Sequence, residues 1–155
     1  MQSRSGADGG ELSRDSSQVA EVLSALGKAL VSGLELDQVL AAILDSLSSV
    51  VSYDSASISL LDGNSLEIRA VRGFEEPAAL IGRRLDLKLH FLYGSILESG
   101  VPVVLDDAQA DSRFIAKYYL PDNRLIRAWM GIALRVGGES IGLLCLDSHR
   151  VGAFA

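Results

Sequence analysis

The apolar positions of this chain follow two periods, helical first and strand-like afterwards. In "SQVAEVLSALGKALVSG", Val19, Val22, Leu23, Leu26 and Leu30 fall on one helical stripe. Ser16 or Ser17 can cap its start and Gly33 supplies a left-handed stop. A second stripe, Leu36, Val39, Leu40, Ile43, Leu44, Leu47, Val50 and Val51, predicts a helix over residues 34–53. Two stripes joined by a short turn predict a helix pair covering one face of a sheet.

The period then drops to two. In "DSASISLLD", Ala56, Ile58 and Leu60 alternate with Ser57, Ser59 and Leu61. Asp62, Gly63 and Asn64 form a hairpin signal, and "SLEIRAVRG" returns as the partner strand. "GFEEPAALIGRRLDLKLHF", broken by Pro77 and Gly82, reads as a long irregular connection. "YGSILESG" predicts a short helix stopped by Gly100, and "VPVVLDD" a short strand with Pro102 at its start. Asp111 is a candidate cap for a segment carrying Phe114, Ile115 and Tyr118 and ending at Pro121. "AWMGIALRV", the turn "GGES" and "IGLLCLDSH" close the chain as a second hairpin. The order is two helices, a hairpin, a loop, a helix, a strand, a mixed segment and a hairpin. It predicts an α+β fold: a mostly antiparallel sheet of five to six strands with helices on one face.

Composition narrows the function. The 155 residues suffice for one domain, with residues 1–16, rich in Ser, Gly and charge, read as a disordered tail or linker. A net charge of −6 argues against binding nucleic acid or anionic membrane, which rests on Lys and Arg. One cysteine forms no internal disulfide, and no apolar run is long enough to span a bilayer, so a cytoplasmic setting is expected.

Three strings in order, "YDSASISLLDGNSLEIRAVRG" (residues 53–73), "SGVPVVLDDAQADSRF" (99–114) and "IRAWMGIALRVGGESIGLLCLDS" (126–148), resemble a GAF domain, the small-molecule-sensing module of signalling proteins. The flavour is that of GAF domains upstream of bacterial histidine kinases and diguanylate cyclases. The resemblance implies a GAF domain over residues 17–155, helices on one sheet face and a loop and short-helix ligand cleft on the other. It implies a homodimer through the helices, with Ala29, Val31, Leu34, Ala41 and Ala42 as a weak second strip, and a downstream effector domain in the same chain. Family members continue into a further amphipathic helix after the last strand, so the final helix is expected to be cut off at "RVGAFA".

Each candidate for chemistry has a plainer packing reading beside it. Cys145 and His149 lie four residues apart on one strand, about 13 Å, which no metal bridges. Cys145 lies in an apolar run and reads as a core residue. The segment where bilin-binding members carry their attachment cysteine has none here, and a single cysteine makes no resolving pair for the family's methionine sulfoxide reductases. His90 is the better placed histidine for haem, but packing between Leu89 and Phe91 is the plainer reading. The cyclic-nucleotide signature is not recognisable. Asp106, Asp107 and Asp111 with Arg113 read as caps, and Arg69, Arg72, Arg83 and Arg84 as a solvated face.

Seven of the nine aromatics, Phe74, Phe91, Tyr93, Phe114, Tyr118, Tyr119 and Trp129, fall in the segments that the resemblance places around the cleft. With Ser57 and Ser59 as polar floor candidates, these are the expected ligand-binding residues. No catalytic residue, metal site or cofactor is expected; the ligand is an unknown small molecule. The reading is a non-catalytic sensory domain of a bacterial two-component histidine kinase. The rival is a ligand-free structural dimerisation module.

Overall fold

The computed structural model describes Val19, residues 35–114 and residues 126–155. The predicted tail and, Val19 apart, the first predicted helix lie outside the described residues. So do Ile115, Tyr118, Tyr119 and Pro121 of the segment after Asp111.

Helix α1, Leu36–Leu47, buries Val39, Leu40, Ile43, Leu44 and Leu47, the central part of the predicted stripe. Each such side chain contributes about 1.5–3 kcal/mol on burial. The helix stops six residues before the expected end at Tyr53. Ser48 Oγ and Ser49 Oγ donate to the carbonyls of Asp45 and Ser46, each at 2.7 Å, and so compete with further helical bonding. Tyr53 Oη donates to the Leu44 carbonyl at 2.9 Å and ties the exit back to the helix.

Six strands come after it: β1 Ser55–Asp62, β2 Ser65–Arg72, β3 Arg84–Asp86, β4 Val103–Leu105, β5 Ala128–Val136 and β6 Glu139–Ser148. They pair antiparallel throughout in the order β3-β2-β1-β6-β5-β4. The connection read as irregular holds both the short helix α2, Pro77–Leu80, and β3. A three-residue strand with one buried side chain, Leu85, gives no alternating pattern to detect. Helix α3, Phe91–Ser99, ends at Gly100 in the left-handed region, as its glycine predicts. The β5–β6 turn uses Gly137 and Gly138, both at positive φ, the pairing a tight hairpin demands.

Each central strand buries both faces. Ala56, Ile58, Met130, Ile132, Leu144 and Leu146 meet α1, Val19 and Phe154. Trp129, Ala133, Leu143 and Cys145 meet α3 and the long connections. This is why "IGLLCL" reads as a continuous apolar run rather than an alternation. A bulge in β2 opposes Ile58 to Ala70 but Ser59 to Ile68, leaving Arg69 as the extra residue. Beyond it the phase inverts, so Ala70 faces the helix side and Val71 the cleft side. The bulged Arg69 turns to Asp37 of α1 at 2.9 Å, and Arg72 to Asp45 at 3.0 Å. These two arginines therefore strap helix to sheet, each worth at most about 1 kcal/mol at the surface.

Candidate functional site

On the sheet face opposite α1, the side chains of β1 and β6 form a polar floor. Ser57 and Ser59 come from β1, and Cys145 and Asp147 from β6. Register explains the grouping: Ser57 pairs with Cys145, and Asp147 lies between Ser55 on β1 and Trp129 on β5. Over this floor stands an aromatic wall. Trp129 stacks on Tyr93 of α3 with centroids 5.8 Å apart, and Phe114 tilts against Trp129 at 6.3 Å. Phe74, Leu80 and Leu85 close the remaining side, leaving a cavity of about 30 Å³. That is room for about two waters or one small head group.

Gly131 makes the wall possible. A Cβ there would fall inside the Trp129 indole and 2.9 Å from Ile96 Cδ1. The rim is stapled from β5 to the segment after β4. Arg127 pairs with Asp107 at 3.2 Å, the Ala108 N–H donates to the Arg127 carbonyl at 2.5 Å, and Gln109 Nε2 donates to the Ile126 carbonyl at 3.0 Å. The hydrogen bond from Arg127 holds the Asp107 carboxyl below its ordinary value. Asp107, at the N-cap position of the turn Ala108–Ala110, is held chiefly by Arg127 and, to a lesser degree, by the backbone N–H groups of Gln109 and Ala110. Asp111 caps, accepting from the Arg113 N–H at 2.9 Å and from its guanidinium.

Asp147 is 3% exposed, and its one side-chain donor among the described residues is Ser55 Oγ, at 3.0 Å. Burial drives its carboxyl up to about 7 from an ordinary 3.8, against the pull of the Ser55 hydrogen bond. Cys145 is also buried. Desolvation pushes its thiol up, the Asp147 charge adds to the push, and hydrogen bonds with Ser57 and Trp129 oppose it. A thiol so held is no nucleophile at neutral pH.

Of the residues predicted for the cleft, Ser57, Ser59, Phe74, Tyr93, Phe114 and Trp129 line this cavity together. Phe91 does not: it is 80% exposed, on the outer face of α3 with Ser95 and Glu98. The helix starts at Phe91, and its turn carries Leu92 and Tyr93 inward instead. Tyr118 and Tyr119 lie outside the described residues. His90 is buried and stacks on Tyr93, centroids 5.0 Å apart, rather than packing between Leu89 and Phe91, which are both exposed. Burial lowers its pKa, so its ring is neutral at pH 7. His149 is exposed at the end of β6, where its N–H donates to Asp54 at 2.7 Å, apart from buried Cys145. Among the described residues no cluster suited to a metal exists. Asp147 was missed from sequence, because an acid closing an apolar run reads as a strand end in water. Its alternation with Leu143 and Cys145 was the available signal.

A larger apolar hollow of about 280 Å³ lies on the helix side, between α1 and the β5–β6 hairpin. Arg135 is its one polar lining residue among the described residues, so it lacks the convergent polar groups of a specific site. No described helix is long and apolar enough to cross a membrane.

Solved structures share this architecture. The GAF domain of an Acinetobacter phosphoenolpyruvate-protein phosphotransferase aligns with TM-score 0.67 and 21% identity, over 88% of this chain and 80% of that one. A free methionine-R-sulfoxide reductase from Neisseria meningitidis, in complex with its substrate, aligns with TM-score 0.65 and 22% identity, over 88% and 77%. The GAF domain of a two-component sensor histidine kinase from Bacillus halodurans aligns with TM-score 0.63 and 22% identity, over 76% and 79%. At these identities the likeness is one of fold. No curated protein sequence matches the chain. The family model for the GAF domain matches residues 35–154, from the start of α1 to the last buried side chain, Phe154. The chain belongs to the GAF domain family.

Proposed function

We propose that this GAF domain is a non-catalytic sensor of a small molecule, regulating an effector in a bacterial signalling protein of the histidine kinase kind. One observation carries the reading: a cavity with a polar floor of Ser57, Ser59 and Asp147 under a wall of Tyr93, Trp129 and Phe114. An apolar enclosure with a few converging polar groups is what ligand recognition requires. The likeness to a histidine kinase GAF domain supports the signalling context. The likeness to a methionine sulfoxide reductase raises an enzymatic alternative. Against it stands a single cysteine, buried and held as a thiol.

Signal leaves through the sheet. β1 and β6 turn Ser57 and Cys145 to the cleft and Ile58 and Leu144 to α1, so a ligand that reorders the floor also biases the helix packing. Coupling arises from differential affinity for the two packings. A homodimer through the helices passes the change to the effector.

Trp129, the sole tryptophan, reports on the cleft. Screening nucleotides, amino acids and haem by thermal shift and Trp129 fluorescence tests the reading, with saturable responses expected from one class. The smallness of the cavity favours the rival, a self-filled dimerisation module, and silence across the panel would establish it.

A further inference from the structure

Asp147 does not fit a cleft that merely packs. It is a carboxyl with almost no exposure, and its only side-chain donor among the described residues is the neutral Ser55 hydroxyl. No described Lys, Arg or His lines the cavity it faces. An ionised carboxylate in such surroundings is costly unless a positive group joins it. The cavity, about 30 Å³, has room for a primary ammonium head. An ammonium brings N–H donors to the Asp147 carboxylate and to the Ser57 hydroxyl, which stands next along the same face.

We infer that the ligand is a small primary amine whose ammonium head is received by Asp147 beside Ser57. The inference rests on the cleft being a ligand site, and it names the class. Anions are repelled by the carboxylate, and neutral groups leave its charge unanswered.

The pairing also makes recognition pH-dependent. Among the described residues, the groups facing Asp147 are Cys145 on β6, Ser55 and Ser57 on β1, Trp129 on β5 and, across the cavity, Tyr93 on α3. Behind Tyr93 is His90, neutral at pH 7, and at the sheet's end Asp54 engages Ser148 and His149. No described Lys or Arg is among them. Burial pushes the Asp147 carboxyl up to about 7, so the receiving form grows as pH rises through that value.

Methylammonium and ethylammonium chloride, titrated at constant ionic strength and read by Trp129 fluorescence and thermal shift, test this. Sodium acetate, acetamide and tetramethylammonium chloride are the comparisons. Saturable binding of the primary amines alone is expected, about tenfold tighter at pH 8 than at pH 6. The Asp147→Asn variant, which keeps an acceptor for Ser55, should bind at least tenfold more weakly while its circular dichroism stays native. The pH comparison on the unaltered chain needs no variant to fold. Absent or pH-independent amine binding, or equal binding by Asp147→Asn, overturns the inference. If another ligand class then binds, the cleft remains a site and only its chemistry was misjudged; if nothing binds, the sensor reading falls with it.

Discussion

Asp147 and Cys145 share one strand face and one environment, and burial favours the neutral form of both. For Asp147 the folded state keeps a proton that the unfolded state releases near 3.8. Its contribution is therefore fully present below that value and is lost as pH rises towards about 7, at about 1.4 kcal/mol per pH unit. Asp147→Asn should remove this slope and unfold at higher denaturant than the parent at pH 8, by roughly 1–3 kcal/mol. Urea titrations of both proteins from pH 4 to pH 8 measure it; parallel curves would contradict the burial of an unpaired carboxyl. Cys145 should resist thiol reagents in the folded protein at pH 8 and react fully once urea unfolds it. Rapid labelling of the native chain would show a thiol more open than its surroundings imply. The burial of Cys145 was legible in its apolar run; that of Asp147 was not. Asp147 is desolvated by burial where β6 lies between β1 and β5, a pairing that only the tertiary fold creates.

At the scale of the element, the two faces of the sheet make separable demands. Leu44 is fully buried on the inner stripe of α1, so Leu44→Ala should cost about 2–5 kcal/mol. Phe91, as apolar but 80% exposed, should tolerate alanine within about 0.5 kcal/mol. A large loss at Phe91 in chemical denaturation would mean that its face of α3 is covered. Gly131→Ala forces the added methyl against the Trp129 indole and should cost about 1–3 kcal/mol with a shifted Trp129 emission. The stripe of α1 and the alternation of β1 were readable because each element is long enough to repeat its period. β3 was not, having three residues. Nor was the β2 bulge, since inserting Arg69 changes which face each later residue takes without changing the composition of the strand.

For the molecule as a whole, one sheet is the shared wall of both cores. Neither core persists without it, so far-UV circular dichroism, which tracks the whole backbone, and Trp129 fluorescence, which tracks the cleft, should report one coincident unfolding transition. Two separated midpoints would show that the cleft side melts independently of the helix side. The same sharing is what allows a ligand under Trp129 to be felt at α1, through strands only one residue thick.

The sequence by itself determined the α+β class, the antiparallel hairpins, α1, the left-handed stop at Gly100 and the family, because periodicity, turn residues and ordered strings are local properties of the chain. It also named most of the aromatic wall, since those residues cluster in two connecting segments. Tertiary structure alone decided that Phe91 turns outward, that Arg69 and Arg72 pair with acids of α1, and that Asp147 is a buried floor residue. Those outcomes depend on the rotation of a helix, the phase of a bulge and the pairing of β6 between β1 and β5. Each sets which side chains share a low-dielectric space, and hence which charges can exist there.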